Sequence, residues 1–128
     1  RGIEPLCKIV SYGVAGVDPT VMGRGPVLAS KMALKNAGLT ADEIDFWEIN
    51  EAFCVVALNC MNKLGIPEEK VNIRGGSTAI GHPLGATMVR LPGTLARILK
   101  DKGAKYGCAN ACCGGGQGIA VVIENLDA

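Results

Sequence analysis

Short runs of β-favouring residues alternate with runs of helical period along this chain, and glycine or proline stands at most of the changeovers. That alternation limits the folds open to it, because strands that return through helices pair into a sheet with helices packed against it. Residues 6–15, LCKIVSYGVA, read as a strand on Ile9, Val10, Tyr12 and Val14, and GVDPTVMGRG after them is turn chemistry. Pro26 opens a helix with an apolar stripe of Leu28, Ala29, Met32 and Ala33, stopped by Gly38. Thr40 and Glu43 have capping-box spacing and predict one helical turn. Phe46 to Ile49 is a strand ending at Asn50; Phe53, Val56, Ala57, Cys60, Met61 and Leu64 then repeat with helical period until Gly65 and Pro67. Val71 to Ile73 is a short strand. Pro83 opens a last helix carrying Leu84, Met88, Leu91, Leu95, Ile98 and Leu99, with a kink expected at Pro92. Tyr106–Cys112 and Ile119–Glu124 close the chain as a hairpin across CGGGQG. The fold class is therefore α/β, a mixed sheet flanked by helices.

At 128 residues the chain is one domain, 1–128, with enough apolar residues (48%) for a core but short for a complete metabolic enzyme. A net charge of +1 and an aromatic content of 4% give no support to a nucleic-acid partner, and no apolar run is long enough to cross a membrane. The six cysteines sit in apolar segments, and the neighbours Cys112 and Cys113 would point to opposite faces of a strand. Free thiols in a reducing, cytoplasmic compartment are the expectation. With no C-x-x-C pair and a single histidine, no metal site is expected.

Three polar residues fall at strand ends beside glycine-rich backbone. His82, within Gly75 to Arg90 (GGSTAIGHPLGATMVR), stands before Pro83 at the mouth of the last helix. It is either a polar N-cap or an imidazole held neutral by the helix N-terminus, able to donate an N–H to an oxyanion. Asn50 is either the N-cap of the helix after it or an amide that holds a water. Cys112 is either a buried strand cysteine or an acid/base thiol whose thiolate the exposed N–H groups of Gly114 to Gly116 would favour. Together they suit chemistry on a carbonyl that passes through an enolate or tetrahedral oxyanion. The run GRGPVLASK fails as a phosphate loop, because Ser30 stands where a glycine must precede Lys31.

NEAF (Asn50 to Phe53), GGSTAIGHPLGA (Gly75 to Ala86) and CCGGGQG (Cys112 to Gly118) resemble the carboxy-terminal motifs of thiolases, and VAGVDPTVMGRGP (Val14 to Pro26) resembles a fourth. The resemblance spans essentially the whole chain, in the family's order. It implies the C-terminal half of an acetyl-CoA acyltransferase, one of two similar domains in a five-layer α-β-α-β-α arrangement, acting in reversible Claisen condensation or thiolytic cleavage. By that resemblance Cys112 is the acid/base cysteine, His82 the donor to the thioester oxygen, and Asn50 the holder of the water completing that oxyanion hole. The Gly114 N–H serves the acyl-enzyme step, and Met22 and Phe53 line the acyl pocket. No cofactor is implied beyond coenzyme A thioesters as substrates. The implied partners are the N-terminal domain carrying the nucleophilic cysteine, which is not in this chain, and further copies in a dimer or tetramer. The isolated chain is expected to be inactive; the alternative is a non-catalytic thiolase-like scaffold or partner subunit. The family usually has Ser-Gly-Ala-Arg where this chain has Thr87-Met88-Val89-Arg90, which bears on pocket shape.

Overall fold

The structure, a computed structural model, describes residues 2–128. Ten segments of regular backbone build a single four-stranded sheet with helices on both faces. The strands are β1 (Lys8–Gly16), β2 (Phe46–Ile49), β3 (Tyr106–Cys113) and β4 (Gln117–Glu124), in the order β1-β4-β3-β2. β4 is antiparallel to both β1 and β3, whereas β2 runs parallel to β3, so the sheet is mixed as expected. The helices are α1 (Gly25–Ala37), α2 (Cys54–Leu64), α3 (Ser77–Ile80) and α4 (Thr87–Lys102).

Two cores lie on the two faces of the sheet. Trp47, Ile49, Cys108, Ala120 and Val122 pack beneath α1 and α2, while Ala109 and Ile123 pack beneath Leu91, Leu95 and Leu99 of α4. Successive strand residues point to opposite faces, so β2 sends Trp47 and Ile49 to the first core and Glu48 and Asn50 toward α4. Glycine lets α1 approach the sheet: a Cβ at Gly118 would collide with the Gly25 backbone.

The helix stripes follow the sequence with three corrections, one being that Phe53 precedes α2 as its N-cap residue and is 62% exposed. On α1 the buried side is Val27, Ala29, Ser30, Ala33 and Leu34, whereas Leu28 and Met32 are about half exposed. Small residues are selected there because the helix rests directly on strand backbone at Gly13, where any Cβ would meet Ala29 and Ala33. Leu84 is not on α4 at all; it lies in the turn before the helix and is 82% exposed. α4 runs on through Pro92, and Leu91, Leu95, Ile98 and Leu99 are buried as expected. Three loops also differ from expectation. The segment after Asp18 is a 3-10 turn, Pro19–Arg24, capped by the Asp18 carboxylate on the Thr20 N–H. Thr40 and Glu43 do hydrogen-bond, the Glu43 carboxylate accepting from the Thr40 N–H at 2.8 Å, but they close a turn rather than a helix. Val71–Ile73 makes only a single parallel bridge, Val71 to Trp47.

Candidate active site

The end of β2 is the corner on which the site is assembled. Asn50 continues the ladder to β3, its N–H donating to the Asn110 carbonyl at 2.9 Å, and its side chain is wholly buried. It does not cap α2, which begins at Cys54 after Phe53. Its carboxamide is held by two groups instead: Ser77 Oγ donates to Oδ1 at 2.8 Å, and Nδ2 faces His82 Nε2 at 3.3 Å.

Asn72 explains why the glycine-rich loop returns to this corner. Sitting at φ +48°, it accepts from the Ile49 N–H at 2.8 Å and donates to the Ile49 carbonyl at 2.9 Å. Its side chain thus completes the edge of β2 in place of the expected strand. The same Nδ2 donates to Glu51 at 2.7 Å, and the other Glu51 oxygen accepts from the Thr78 N–H at 2.8 Å, pinning the first turn of α3.

His82 follows α3 and is half-buried. Pro83 does not open the helix directly; it opens a turn whose Ala86 and Thr87 N–H groups donate back to the Pro83 carbonyl at 2.8 and 2.9 Å, and α4 begins at Thr87. His82 is therefore held by side chains rather than placed on the helix axis: Nδ1 lies 2.7 Å from Thr87 Oγ1, which donates to the Pro83 carbonyl at 3.0 Å.

Cys112 lies opposite Gly118, one residue before the end of β3, and is 8% exposed. Burial pushes its thiol above the usual value, and its own backbone hydrogen bond offsets only part of that rise. Burial works against the bias toward thiolate expected from the glycine loop. Cys60 and Cys108, deeper in the core, are pushed up to about 12 and stay protonated. The glycine loop is anchored by the Val17 N–H donating to the Gly116 carbonyl at 2.7 Å, which brings the 3-10 turn carrying Met22 against the end of the β3–β4 hairpin.

His82, Cys112, Gly114, Met22 and Phe53 line one open cleft of about 430 Å³. Asn50 does not reach its wall; it stands behind His82, in contact with the imidazole. Residues far apart in sequence are thus brought together, a thiol and an imidazole at the wall with an amide behind them. The family model described as "Thiolase, C-terminal domain" matches residues 3–125. The chain belongs to the thiolase family, as its C-terminal domain. A 3-ketoacyl-CoA thiolase of Marinobacter nauticus is 51% identical over 128 residues, and one of an Enterobacter species is 50% identical, each alignment covering 98% of this chain. The human mitochondrial 3-ketoacyl-CoA thiolase superposes with a TM-score of 0.93 at 46% identity over 96% of this chain. A second structure of the human protein, in complex with CoA, gives 0.92 at 46% identity over 95% of the chain. The chain spans about a third of these relatives, 33% of the bacterial proteins and 31% of the human one.

Several residues of this thiolase domain shape the site without being candidates for its chemistry; Ser77 and Thr87 lie inside the glycine-rich stretch itself. Ser77 orients Asn50, and Thr87 holds His82; the second was legible in principle, since a hydroxyl at the start of a helix reaches back to the residues before it. Met88, at a position where the family usually has glycine, lines the cleft. Below them Glu48 is wholly buried with both carboxylate oxygens unpartnered, and Arg90 has an unpartnered Nε while its Nη2 donates to Ser77 Oγ at 3.1 Å.

Proposed function

We propose that this domain is the acid/base half of a thiolase that cleaves 3-ketoacyl-CoA with CoA and runs the reverse condensation. The observation that carries this reading is the shared cleft of His82, Cys112 and Gly114. In condensation, Cys112 as thiolate takes a proton from Cα of acetyl-CoA, and the electron pair moves to the thioester oxygen. In cleavage the same thiolate takes the proton of the incoming CoA thiol. A thiol whose acidity is weakened by burial makes a stronger base once ionised, which suits a weakly acidic C–H bond. The enolate oxygen needs N–H donors in a site of low dielectric, where they act far more strongly than in water. His82 Nε2 supplies one donor. A water held by Asn50 Nδ2, behind the ring, supplies the second.

In the acyl-enzyme step the Gly114 N–H donates to the acyl oxygen. The nucleophilic cysteine, and most of the contacts to CoA, come from an N-terminal domain that is not in this chain. That domain would pack against this one in a five-layer assembly, and the whole would work as a dimer or tetramer. Met22 and Phe53 line the acyl pocket, and Met88 narrows it. No resident cofactor takes part.

The test is Cys112→Ser in the intact enzyme, followed by hydrogen exchange at Cα of acetyl-CoA in heavy water. Exchange should fall by about 10²- to 10⁴-fold, the range ordinarily lost with a general base. Exchange at a near-normal rate would remove Cys112 from this role.

A further inference from the structure

The hydrogen bonds around His82 have a direction that can be followed from one end. Arg90 can only donate, and its Nη2 lies 3.1 Å from Ser77 Oγ. Ser77 passes its own proton to Asn50 Oδ1 at 2.8 Å, which turns the amino group Nδ2 toward His82 Nε2 at 3.3 Å. An amide NH₂ only donates, so Nε2 must accept, and the one proton of a neutral imidazole then sits on Nδ1. Nδ1–H meets Thr87 Oγ1 at 2.7 Å, and Thr87 hands its proton to the Pro83 carbonyl at 3.0 Å. Every link has one donor and one acceptor, and Thr87 is only 2% exposed.

We propose that the empty site holds His82 as the Nδ1–H tautomer, unable to donate into the cleft, and that Thr87 is the positioning residue that allows the proton to change nitrogens when an oxygen ligand arrives. The ligand part of this rests on the role proposed above for His82; the tautomer of the empty site does not.

The physical reason is the crowding of donors. If Nε2 carried its proton in the empty site, Nε2–H and the Asn50 amino group would face one another with no acceptor between them. The site relieves that by moving the proton to Nδ1. A ligand oxygen in the cleft relieves it differently: it accepts from Nε2–H, while the water that then enters on Asn50 Nδ2 takes the amino proton. Nε2 then gains a proton, Nδ1 gives one up to solvent, and the net charge of the ring is unchanged. Nδ1 now needs a donor, and the Thr87 hydroxyl rotates from the Pro83 carbonyl to supply it. That carbonyl is not stranded, because it keeps the N–H groups of Ala86 and Thr87.

His82 is the one histidine of this chain, so a long-range ¹H–¹⁵N spectrum of the labelled protein reads its tautomer without assignment by mutation. The wild-type chain should show a pyrrole-type Nδ1 and a pyridine-type Nε2. Thr87→Val keeps the shape and removes the hydroxyl, and should move the ring toward Nε2–H; Thr87→Ser should restore the wild-type pattern. Ser77→Ala, which frees the Asn50 amide to turn over, should shift the ring in the same direction as Thr87→Val. An Nε2–H signature in the wild-type chain overturns the proposal, and so does a Thr87→Val spectrum identical to wild type. If the isolated chain lacks the dispersed amide spectrum of a folded protein, the same spectrum is taken of the intact protein with only this segment labelled. None of these readings depends on turnover. Loss of the Cys112 role would leave them standing, and an Nε2–H ring would leave the thiolase reading standing.

Discussion

Glu48 is the residue whose chemistry is least expected from its place in a strand. It is wholly buried, neither carboxylate oxygen has a partner, and burial outweighs the attraction of Arg90 to push its pKa up to about 7 from 4.5. The consequence for stability has a definite sign. Above pH 4.5 the unfolded chain releases this proton while the folded chain keeps it until about pH 7, so the unfolded state is favoured progressively across that window. A shift of that size corresponds to about 3 kcal/mol, present in full below the window and lost above it. Glu48→Gln keeps the shape without the ionisation. Its urea midpoint should be nearly flat with pH and should exceed that of wild type by about 3 kcal/mol in free energy above the window. A Gln variant less stable than wild type at alkaline pH would mean that Glu48 works as an anion paired with Arg90. The sequence offered no signal for this residue, because one carboxylate in a four-residue strand reads as a solvated face until the second helical layer is in place.

At the scale of elements, two glycines of one loop region separate packing from chemistry. A Cβ at Gly118 would be driven into the Gly25 backbone, where strand β4 and helix α1 touch, whereas a Cβ at Gly114 meets nothing within 4 Å. Gly118→Ala should therefore cost about 2–3 kcal/mol in thermal or urea unfolding, as overpacking against backbone does. Gly114→Ala should leave the midpoint nearly unchanged and instead lower turnover of the intact enzyme, because Gly114 lines the cleft and its N–H is assigned to the acyl oxygen. Equal stability losses in the two variants would refute the distinction. The order of elements was legible because each boundary carries a local cause: Gly38, Gly65 and Gly103 sit at φ near +60 to +70° after α1, α2 and α4, a conformation glycine adopts freely. The loop from Val71 to Ala86 was not legible in the same way. Its path depends on Asn72, which bonds to Ile49 at the end of β2, and on Glu51, which accepts from Asn72 and Thr78; contacts between segments more than 20 residues apart leave no periodic trace. The same holds for the site: glycine-rich strand ends pointed to Asn50, His82 and Cys112, but Ser77 and Thr87 gain their roles only from where those residues come to lie.

The whole molecule is apolar on the side where it should be wet. On β1, Ser11 and Gly13 are the buried residues, Ser11 Oγ donating to the Ala33 carbonyl at 2.7 Å beneath α1. The large side chains Ile9, Tyr12 and Val14 face outward and are 69%, 69% and 51% exposed. α4 covers only part of that face of the sheet, and between it and β1 lies an open groove of about 460 Å³ with an apolar wall that includes Ile9, Tyr12, Val89 and Ile119. A β-rich sequence rule would have turned the large residues inward; they point out because the α1 backbone lies too close to β1 for residues larger than Ser11 and Gly13. Exposed apolar surface of this kind ordinarily marks a contact, and under the reading proposed above the contact is with the N-terminal domain. The isolated chain should then self-associate through this face. Sedimentation velocity of the wild-type chain should show concentration-dependent dimers or larger species. The pair Tyr12→Glu and Val89→Glu, both at exposed positions, should return it to a monomer without lowering its unfolding midpoint. A wild-type chain that stays monomeric at high concentration would remove this face as a contact. Association that survives both charges would place the contact on the opposite side, where Val55 and Leu58 of α2 are also exposed.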